Sequence, residues 1–179
     1  MKIGIAGAGG IGSNVARHLV QARVPCLKIA DFDRVDISNL NRQFYTAAQV
    51  GKKKTVCLEE NLRAIFPAIK IDTVDMKIGP GDAGRIFKDC SIVVEGFDQK
   101  QLKKMLIEEL TDTGQQVVSA SGIAGRDMSG VTTRKIGNCR VVGDLRSDQA
   151  DHELFPPKIA LVAATMAALV LEHFKEGAV

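Results

Sequence analysis

The segment IGIAGAGGIGSNVARHLV, residues 3–20, decides the class of fold. Its first four residues are apolar and predict a short strand, and the apolar spacing from residue 11 onward predicts a helix. Gly7, Gly9 and Gly12 fit the pattern GxGxxG, in which glycine permits a tight turn and lets backbone amides approach a phosphate. The N-terminus of the helix adds partial positive charge. The segment therefore predicts a strand, a phosphate-binding turn and a helix in direct succession.

An acidic residue, Asp31, ends the next apolar stretch, nineteen positions after Gly12. In nucleotide-binding α/β folds, an acid at this spacing holds a ribose hydroxyl. Dehydrogenases, flavoproteins and methyltransferases share such a glycine motif, so the motif alone does not choose between nicotinamide dinucleotide and another nucleotide. The turn and Asp31 together predict a nucleotide site.

Apolar stretches alternate with segments of helical period along the chain. The predicted strands lie near residues 3–6, 27–30, 69–74, 92–94 and 117–118, and the predicted helices at 11–22, 54–65, 82–87 and 99–110. This alternation predicts an α/β fold with a Rossmann-like, mostly parallel sheet and helices on both faces. Residues 131–136 and 139–142 predict a hairpin, an antiparallel C-terminal extension of the sheet. A polar loop at 143–157 and a helix at 159–174 complete the prediction.

The composition is that of an ordinary globular protein. Hydrophobic residues make up 45% and charged residues 25% of the 179 residues, which argues against disorder and fits one domain over residues 1–179. The net charge of +3 is small for a nucleic-acid binder, so no nucleic acid is expected as a partner. The longest apolar run, residues 159–171, is shorter than the roughly 20 residues that cross a bilayer. The glycine motif begins close to Met1, so we expect no signal peptide and a cytoplasmic location.

The four cysteines, at positions 26, 57, 90 and 139, lie at least thirty residues apart and form no CxxC pair. We therefore expect neither a zinc site nor a disulfide framework. Cys139 falls in a predicted strand, and we interpret it as a packing residue rather than a nucleophile.

The segment DFDRVDISNLNRQ, residues 31–43, is dense in groups that can bind phosphate, with Asn39, Asn41, Arg42 and Gln43 close together. The forked guanidinium of Arg42 suits phosphate oxygens. Lys54, at the start of the next predicted helix, can add a point charge to the same phosphates.

Asp98 follows the fourth predicted strand, at the end where open α/β sheets bind their ligands. Opposite cationic groups and a triphosphate, its carboxylate would suit a divalent metal, Mg²⁺ above all. The competing interpretation is a helix cap, because a predicted helix starts at residue 99. The sequence leaves both open.

These blocks, in this order, resemble the ThiF/MoeB/HesA family, bacterial relatives of ubiquitin-activating enzymes. The matching blocks are GAGGIG at 7–12, DFDRVDISNLNRQ at 31–43, VGKKK at 50–54 and the strand-end Asp98. The resemblance covers residues 2 to about 130 and is far more specific than a glycine motif alone. The remainder looks most like short ThiF-type proteins of thiamine biosynthesis.

The resemblance implies an adenylyltransferase that uses ATP and Mg²⁺ to activate the C-terminal Gly-Gly carboxylate of a small ubiquitin-like sulfur carrier, here a ThiS-like one, and that works as a homodimer. It also implies roles for individual residues: a nucleotide turn at Gly7, Gly9, Gly10 and Gly12, a ribose contact at Asp31, phosphate contacts at Asn39, Arg42 and Lys54, and a metal ligand at Asp98. Catalysis would fall to Arg42, Lys54 and Asp98 through positioning and charge neutralisation, since a carboxylate is already nucleophilic.

The sequence departs from the family pattern at three places. Relatives commonly carry an arginine before the first strand that completes the neighbouring subunit's ATP site, whereas this sequence begins almost at the strand. Gln99 stands where relatives place asparagine, and the two CxxC zinc pairs of many relatives are missing. The alternatives are a non-catalytic nucleotide-binding subunit, or an activating enzyme for a molybdopterin-type carrier or a modified tRNA base. An NAD-dependent oxidoreductase ranks last, because no substrate domain remains.

Overall fold

A seven-stranded sheet forms the centre of the protein in a computed structural model, which describes residues 2–176 and their side chains as far as residue 173. The strands are β1 (Ile3–Ala6), β2 (Cys26–Ala30), β3 (Lys70–Val74), β4 (Ile92–Glu95), β5 (Gln116–Ala120), β6 (Thr132–Ile136) and β7 (Cys139–Gly143). Their order across the sheet is β3–β2–β1–β4–β5–β7–β6. β1 and β4 are buried along their whole length, which is typical of central strands in a parallel sheet.

Helices cover both faces of this sheet. They are α1 (Gly10–Gln21), α2 (Lys54–Ile65), α3 (Ala83–Ile86), α4 (Lys100–Asp112) and α5 (Pro156–Glu176). One hydrophobic cluster holds the inner residues of α1, α2 and α5, such as Val15, Leu58 and Val162. A second cluster on the opposite face holds those of α3 and α4, such as Ile86 and Leu106. The predicted α/β class with helices on both faces is confirmed.

All strand pairs are parallel except β6 with β7. The predicted C-terminal hairpin is confirmed, but β7 itself joins the sheet parallel to β5. Only the edge strand β6 is therefore antiparallel. Every residue of β6 is exposed.

The last helix begins earlier than predicted. The sequence assigned Pro156 and Pro157 to a loop, whereas both lie in the first turn of α5. Proline is compatible with the first turn of a helix, where its missing N–H would have no intrahelical partner. Two short 3₁₀ turns, Ile37–Asn39 and Ala47–Gln49, also form in the segment between β2 and α2, for which no helix was predicted.

The glycine turn between β1 and α1 needs glycine at two positions. Gly7 has a φ of +90°, a conformation that residues with a side chain rarely adopt. A Cβ atom at Gly12 would lie 1.8 Å from the Gly7 carbonyl oxygen. Gly12 therefore permits the close contact between helix and turn.

Among the described helices, none combines the length and the apolar character needed to cross a bilayer.

Candidate functional site

A cavity of about 260 Å³ opens at the carboxyl ends of β1, β2, β3 and β4, the edge at which open α/β sheets bind ligands. Most of the residues predicted to form a site line it, namely Gly7, Gly9, Gly10, Asp31, Arg42, Lys54 and Asp98. Gly12 and Asn39 were predicted in the same set but are not among the lining residues. Gly12 instead packs against the turn.

Asp31 lies at the floor of the cavity and connects the glycine turn to β2. Its side-chain oxygens accept the Ala8 N–H at 2.6 Å and the Asp33 N–H at 2.7 Å. Burial raises the pKa of Asp31, and these two hydrogen bonds partly offset that rise. The carboxylate keeps lone pairs that can accept a ribose hydroxyl.

Lys54 is buried at the first position of α2, with its ammonium 2.9 Å from the Asp33 carboxylate. Tyr45 packs beside it and donates its hydroxyl to the Ala8 carbonyl at 2.8 Å. Burial raises the pKa of Tyr45, so its hydroxyl stays a neutral donor. Contacts with Asp33 and Tyr45 therefore hold the lysine next to the glycine turn.

Arg42 borders the cavity from the segment after β2. Its guanidinium donates to the Ser38 carbonyl at 2.7 Å and to Asn41 Oδ1 at 2.9 Å. Asn39 stabilises the first 3₁₀ turn of this segment. Its Oδ1 accepts the Asp36 N–H at 3.1 Å as part of a capping box. Asn39 thus shapes the loop that presents Arg42, and a phosphate contact for Asn39 stays a prediction.

Asp98 is exposed at the mouth of the cavity, and within residues 2–173 its carboxylate makes no hydrogen bond or ion pair. Gln99 occupies the N-cap of α4 and makes no side-chain cap bond. Nothing in the structure therefore assigns Asp98 the capping role that the sequence left open. In the described part of the chain, no group of three or more His, Cys, Asp or Glu side chains could by itself hold a metal ion. A single carboxylate fits a Mg²⁺ ion that arrives with the phosphates of a nucleotide, since Mg²⁺ is commonly held that way.

Sequence reasoning missed the contribution of the β3 end. Met76, Lys77 and Ile78 line the cavity, and the Lys77 ammonium lies 5.7 Å from the centroid of the exposed Phe32 ring. The predicted third strand could have indicated these residues, because the carboxyl end of β3 lies at the same edge of the sheet as those of β1 and β2.

A polar loop was predicted at 143–157, and the part of it that precedes α5, segment 143–155, closes one side of the cavity. Gln149 and Leu154 line the wall, and Leu154 forms a β-bridge with Ala124. The exposed Lys100 at the start of α4 pairs with Asp148 of this segment.

Lys158, in the first turn of α5, anchors this segment. It is 1% exposed, and its ammonium donates to the Ala124 carbonyl and to Asp144 Oδ2, both at 2.6 Å. Ser147 Oγ lies 3.5 Å away. One buried ammonium therefore joins the exits of β5 and β7 to the first turn of α5.

Cys139 lies in β7 and is 3% exposed. Burial raises the pKa of its thiol to about 11, and it raises that of Cys90 to about 12. A thiol with such a pKa is a poor nucleophile at neutral pH.

Known proteins resemble this chain in sequence. A model of the ThiF family matches residues 1–174. Adenylyltransferase and sulfurtransferase UBA4 of Candida glabrata is 37% identical over 123 residues, which are 68% of this chain and 28% of UBA4. A sulfur carrier protein adenylyltransferase of Thermus thermophilus is 29% identical over 115 residues, 64% of this chain and 42% of that protein. The chain thus spans less than half the length of these relatives.

Solved structures resemble it in fold. The crystal structure of the E. coli tRNA N6-threonylcarbamoyladenosine dehydratase TcdA in complex with AMP superposes with a TM-score of 0.88 at 20% identity, covering 99% of this chain and 87% of TcdA. TcdA has also been solved in complex with ATP. At this identity the likeness shows the fold alone, which is the Rossmann-like, mostly parallel sheet that the sequence predicts.

Proposed function

The chain belongs to the ThiF family, and we propose that it acts in the cytoplasm as an ATP-dependent adenylyltransferase on the C-terminal glycine of a small sulfur-carrier protein. The observation that supports this most is the convergence of Arg42, Lys54 and Asp98 on the cavity that the glycine turn and Asp31 line. These groups come from three separate segments of the chain. The cavity combines the ribose acceptor Asp31, the cations Arg42 and Lys54 and the exposed carboxylate of Asp98, which suits a nucleoside triphosphate with its metal.

In the proposed reaction, a carboxylate oxygen of the carrier attacks the α-phosphorus of ATP. The bond from that phosphorus to the bridging oxygen breaks, pyrophosphate leaves and an acyl-adenylate remains. A carboxylate is ionised at neutral pH, so no general base is required. The residues act by position and charge: Asp31 holds the ribose, while Arg42 and Lys54 neutralise the phosphates. When bound, Mg²⁺ supplies further charge neutralisation, and Asp98 would hold it.

The carrier is proposed to be ThiS-like, from the resemblance of the C-terminal part of the chain to short thiamine-biosynthesis proteins. The UBA4 and Thermus thermophilus relatives are named for sulfur transfer or sulfur carriers, which supports a carrier-type substrate. A molybdopterin-type carrier or a modified tRNA base would use the same chemistry. TcdA, which is named for a tRNA base, shares the fold.

The test is carrier-dependent exchange of labelled pyrophosphate into ATP, with carriers that end in Gly-Gly and with tRNA in parallel. In Arg42→Ala we expect exchange to fall by about 10- to 100-fold, because a charge-assisted phosphate contact contributes about 1.5–3 kcal/mol. The fold should remain, since the Arg42 side chain makes only two hydrogen bonds with the described residues and both are exposed.

The matched control is Arg134→Ala on the edge strand β6, which should exchange at the wild-type rate. ATP binding by the wild type without exchange on any carrier or tRNA would favour a non-catalytic nucleotide-binding subunit. A large fall in the melting temperature of Arg42→Ala would make Arg42 a structural residue.

We further propose that two copies of the chain associate through the outer face of α5. The residues that this helix exposes over about three turns are uncharged: Pro157, Ala160, Leu161, Ala164 and Ala168. A continuous uncharged surface of this kind is typical of a protein interface. Sedimentation at micromolar concentration is expected to show a dimer that Ala164→Arg converts to a monomer. A monomeric wild-type chain would contradict the proposal.

A further inference from the structure

A buried acid, Glu95, ends the apolar strand β4 beside the cavity. Its side chain is 0% exposed, and the three preceding residues of β4 are Ile92, Val93 and Val94. Burying a carboxylate is costly unless other groups supply hydrogen bonds and countercharge. The surroundings of Glu95 must therefore contain such groups.

Three groups from three elements meet this carboxylate. Oε1 accepts the Phe97 N–H at 2.6 Å, in the turn that leaves β4. Oε2 accepts the Ser119 hydroxyl at 2.6 Å from β5, the neighbouring strand in which Ser119 pairs directly with Glu95. Oε2 also forms an ion pair with the ammonium of Lys103 in α4, whose side chain is 21% exposed.

Two of these groups flank Asp98 along the chain. Phe97 immediately precedes it, and Lys103 belongs to the first turn of α4, where its N–H donates to the Gln99 carbonyl at 3.0 Å. The same carboxylate therefore bonds the backbone immediately before Asp98 and a side chain in the first turn of the helix after it. Glu95 itself does not line the cavity.

The turn that Glu95 holds also touches the glycine turn. Gly96 donates its N–H to the Ala6 carbonyl at 2.9 Å. A Cβ atom placed on Gly7 would lie 3.1 Å from the Gly96 carbonyl oxygen and 3.1 Å from the Phe97 ring. Any shift of the turn changes the distance between Asp98 and the nucleotide turn at Gly7.

From this geometry we infer that Glu95 is a positioning residue, whose buried carboxylate aims Asp98 at the metal-bearing phosphates of the nucleotide. The inference rests on the proposed function of Asp98. Glu95 would act through the Phe97 N–H and the Lys103 ammonium, without contact with nucleotide or metal. Outer groups that orient a metal ligand commonly change metal affinity by about 10- to 100-fold when they are removed.

The experiment is calorimetric ATP binding with and without Mg²⁺, which requires no turnover. In Glu95→Gln we expect the tightening of ATP binding by Mg²⁺ to fall at least tenfold, while metal-free ATP affinity stays within about twofold of the wild type. Glu109→Gln is the matched control. Its carboxylate likewise accepts backbone N–H groups, from Gly81 at 2.6 Å and Ala83 at 3.1 Å, but away from the cavity.

The triple variant Glu95→Met, Lys103→Met, Ser119→Ala distinguishes a positioning role of Glu95 from a role in stability alone. Replacing the side-chain partners of a buried polar cluster together by apolar side chains is often neutral for stability, whereas a backbone N–H left without an acceptor is destabilising. We therefore expect the triple variant to fold, to melt only a few degrees below the wild type and still to lack the Mg²⁺ effect, because the Phe97 N–H has no acceptor.

A triple variant with wild-type stability and a wild-type Mg²⁺ effect would overturn the inference, as would an unchanged Mg²⁺ effect in a folded Glu95→Gln. If Mg²⁺ does not tighten ATP binding to the wild type, the proposed metal role of Asp98 fails and the inference fails with it. The carrier-dependent exchange assay reports separately on the proposed function.

Discussion

Replacing Asp98 by asparagine is expected to reduce carrier-dependent pyrophosphate exchange by at least about 100-fold, the loss seen when a group that stabilises developing charge is removed. The amide keeps the size of the side chain but loses the anionic oxygen that Mg²⁺ prefers. Asp98 is well placed for this effect because it lies at the cavity with Arg42 and Lys54.

The same substitution should leave the fold intact. The Asp98 side chain makes no hydrogen bond among residues 2–173, and the N-cap of α4 belongs to Gln99. We therefore expect the melting temperature of Asp98→Asn to lie within a degree or two of the wild type, as for most surface substitutions. A clear fall in the melting temperature with retained pyrophosphate exchange would instead support the helix-cap interpretation. Asp112→Asn, an exposed carboxylate at the other end of α4, is the control and should exchange normally.

Replacing Lys158 by methionine is expected to lower the free energy of unfolding more than the substitutions at Arg42 or Asp98. It removes a buried ammonium from Asp144 and from the Ala124 carbonyl, and breaking a buried ion pair from one side costs about 3–5 kcal/mol. For a chain of this size, that loss lowers the melting temperature by about 10 °C. Urea denaturation at pH 7 measures the free energy directly.

The effect of Lys158→Met should depend on pH. Burial alone would raise the pKa of Asp144, but hydrogen bonds from Lys158, Ser147 and Arg146 hold it well below its ordinary value. A lowered folded-state pKa stabilises the protein above the unfolded value of about 3.9, and this contribution is lost as the pH falls through that value toward the folded pKa. The difference in the free energy of unfolding between wild type and Lys158→Met is therefore expected to have its full size at pH 7 and to shrink below about pH 4.

The control for Lys158→Met is another lysine that reaches the same polar segment. Lys100 pairs with Asp148, but its side chain is 83% exposed. Exposed pairs contribute about 0–1 kcal/mol, so Lys100→Met should be nearly neutral. Equal losses of unfolding free energy in Lys158→Met and Lys100→Met would show that burial is not the reason why the Lys158 pair is stabilising.

Features that depend on neighbours in sequence could be predicted. The turn at Gly7, the helix that starts near Lys54 and the exposed end of β4 at Asp98 all follow from local patterns and appear in the structure. Pro156 was misplaced because proline is compatible both with a loop and with the first turn of a helix.

Features that depend on strand order could not be predicted. Glu95 stands out as an acid in an apolar strand, but its partner Ser119 is apparent only once β4 and β5 are adjacent and in register. The pairing of Lys158 with Asp144 likewise depends on how segment 143–155 lies against the first turn of α5. Asn39 fits a phosphate-binding motif, yet its side chain bonds to its own loop, because the 3₁₀ turn Ile37–Asn39 brings its Oδ1 to 3.1 Å from the Asp36 N–H.

The strand order β3–β2–β1–β4–β5 has a mechanical consequence. From β1 the chain winds outward to β3, crosses back, and then winds outward in the other direction from β4. The glycine turn and Asp31 belong to the first winding, and Asp98 belongs to the second. A molecule that fills the cavity between them contacts both halves, so its binding adds to the β1–β4 pairing in holding them together. Because only the folded sheet offers both sides of the cavity, occupancy would raise the resistance of the β1–β4 junction to separation.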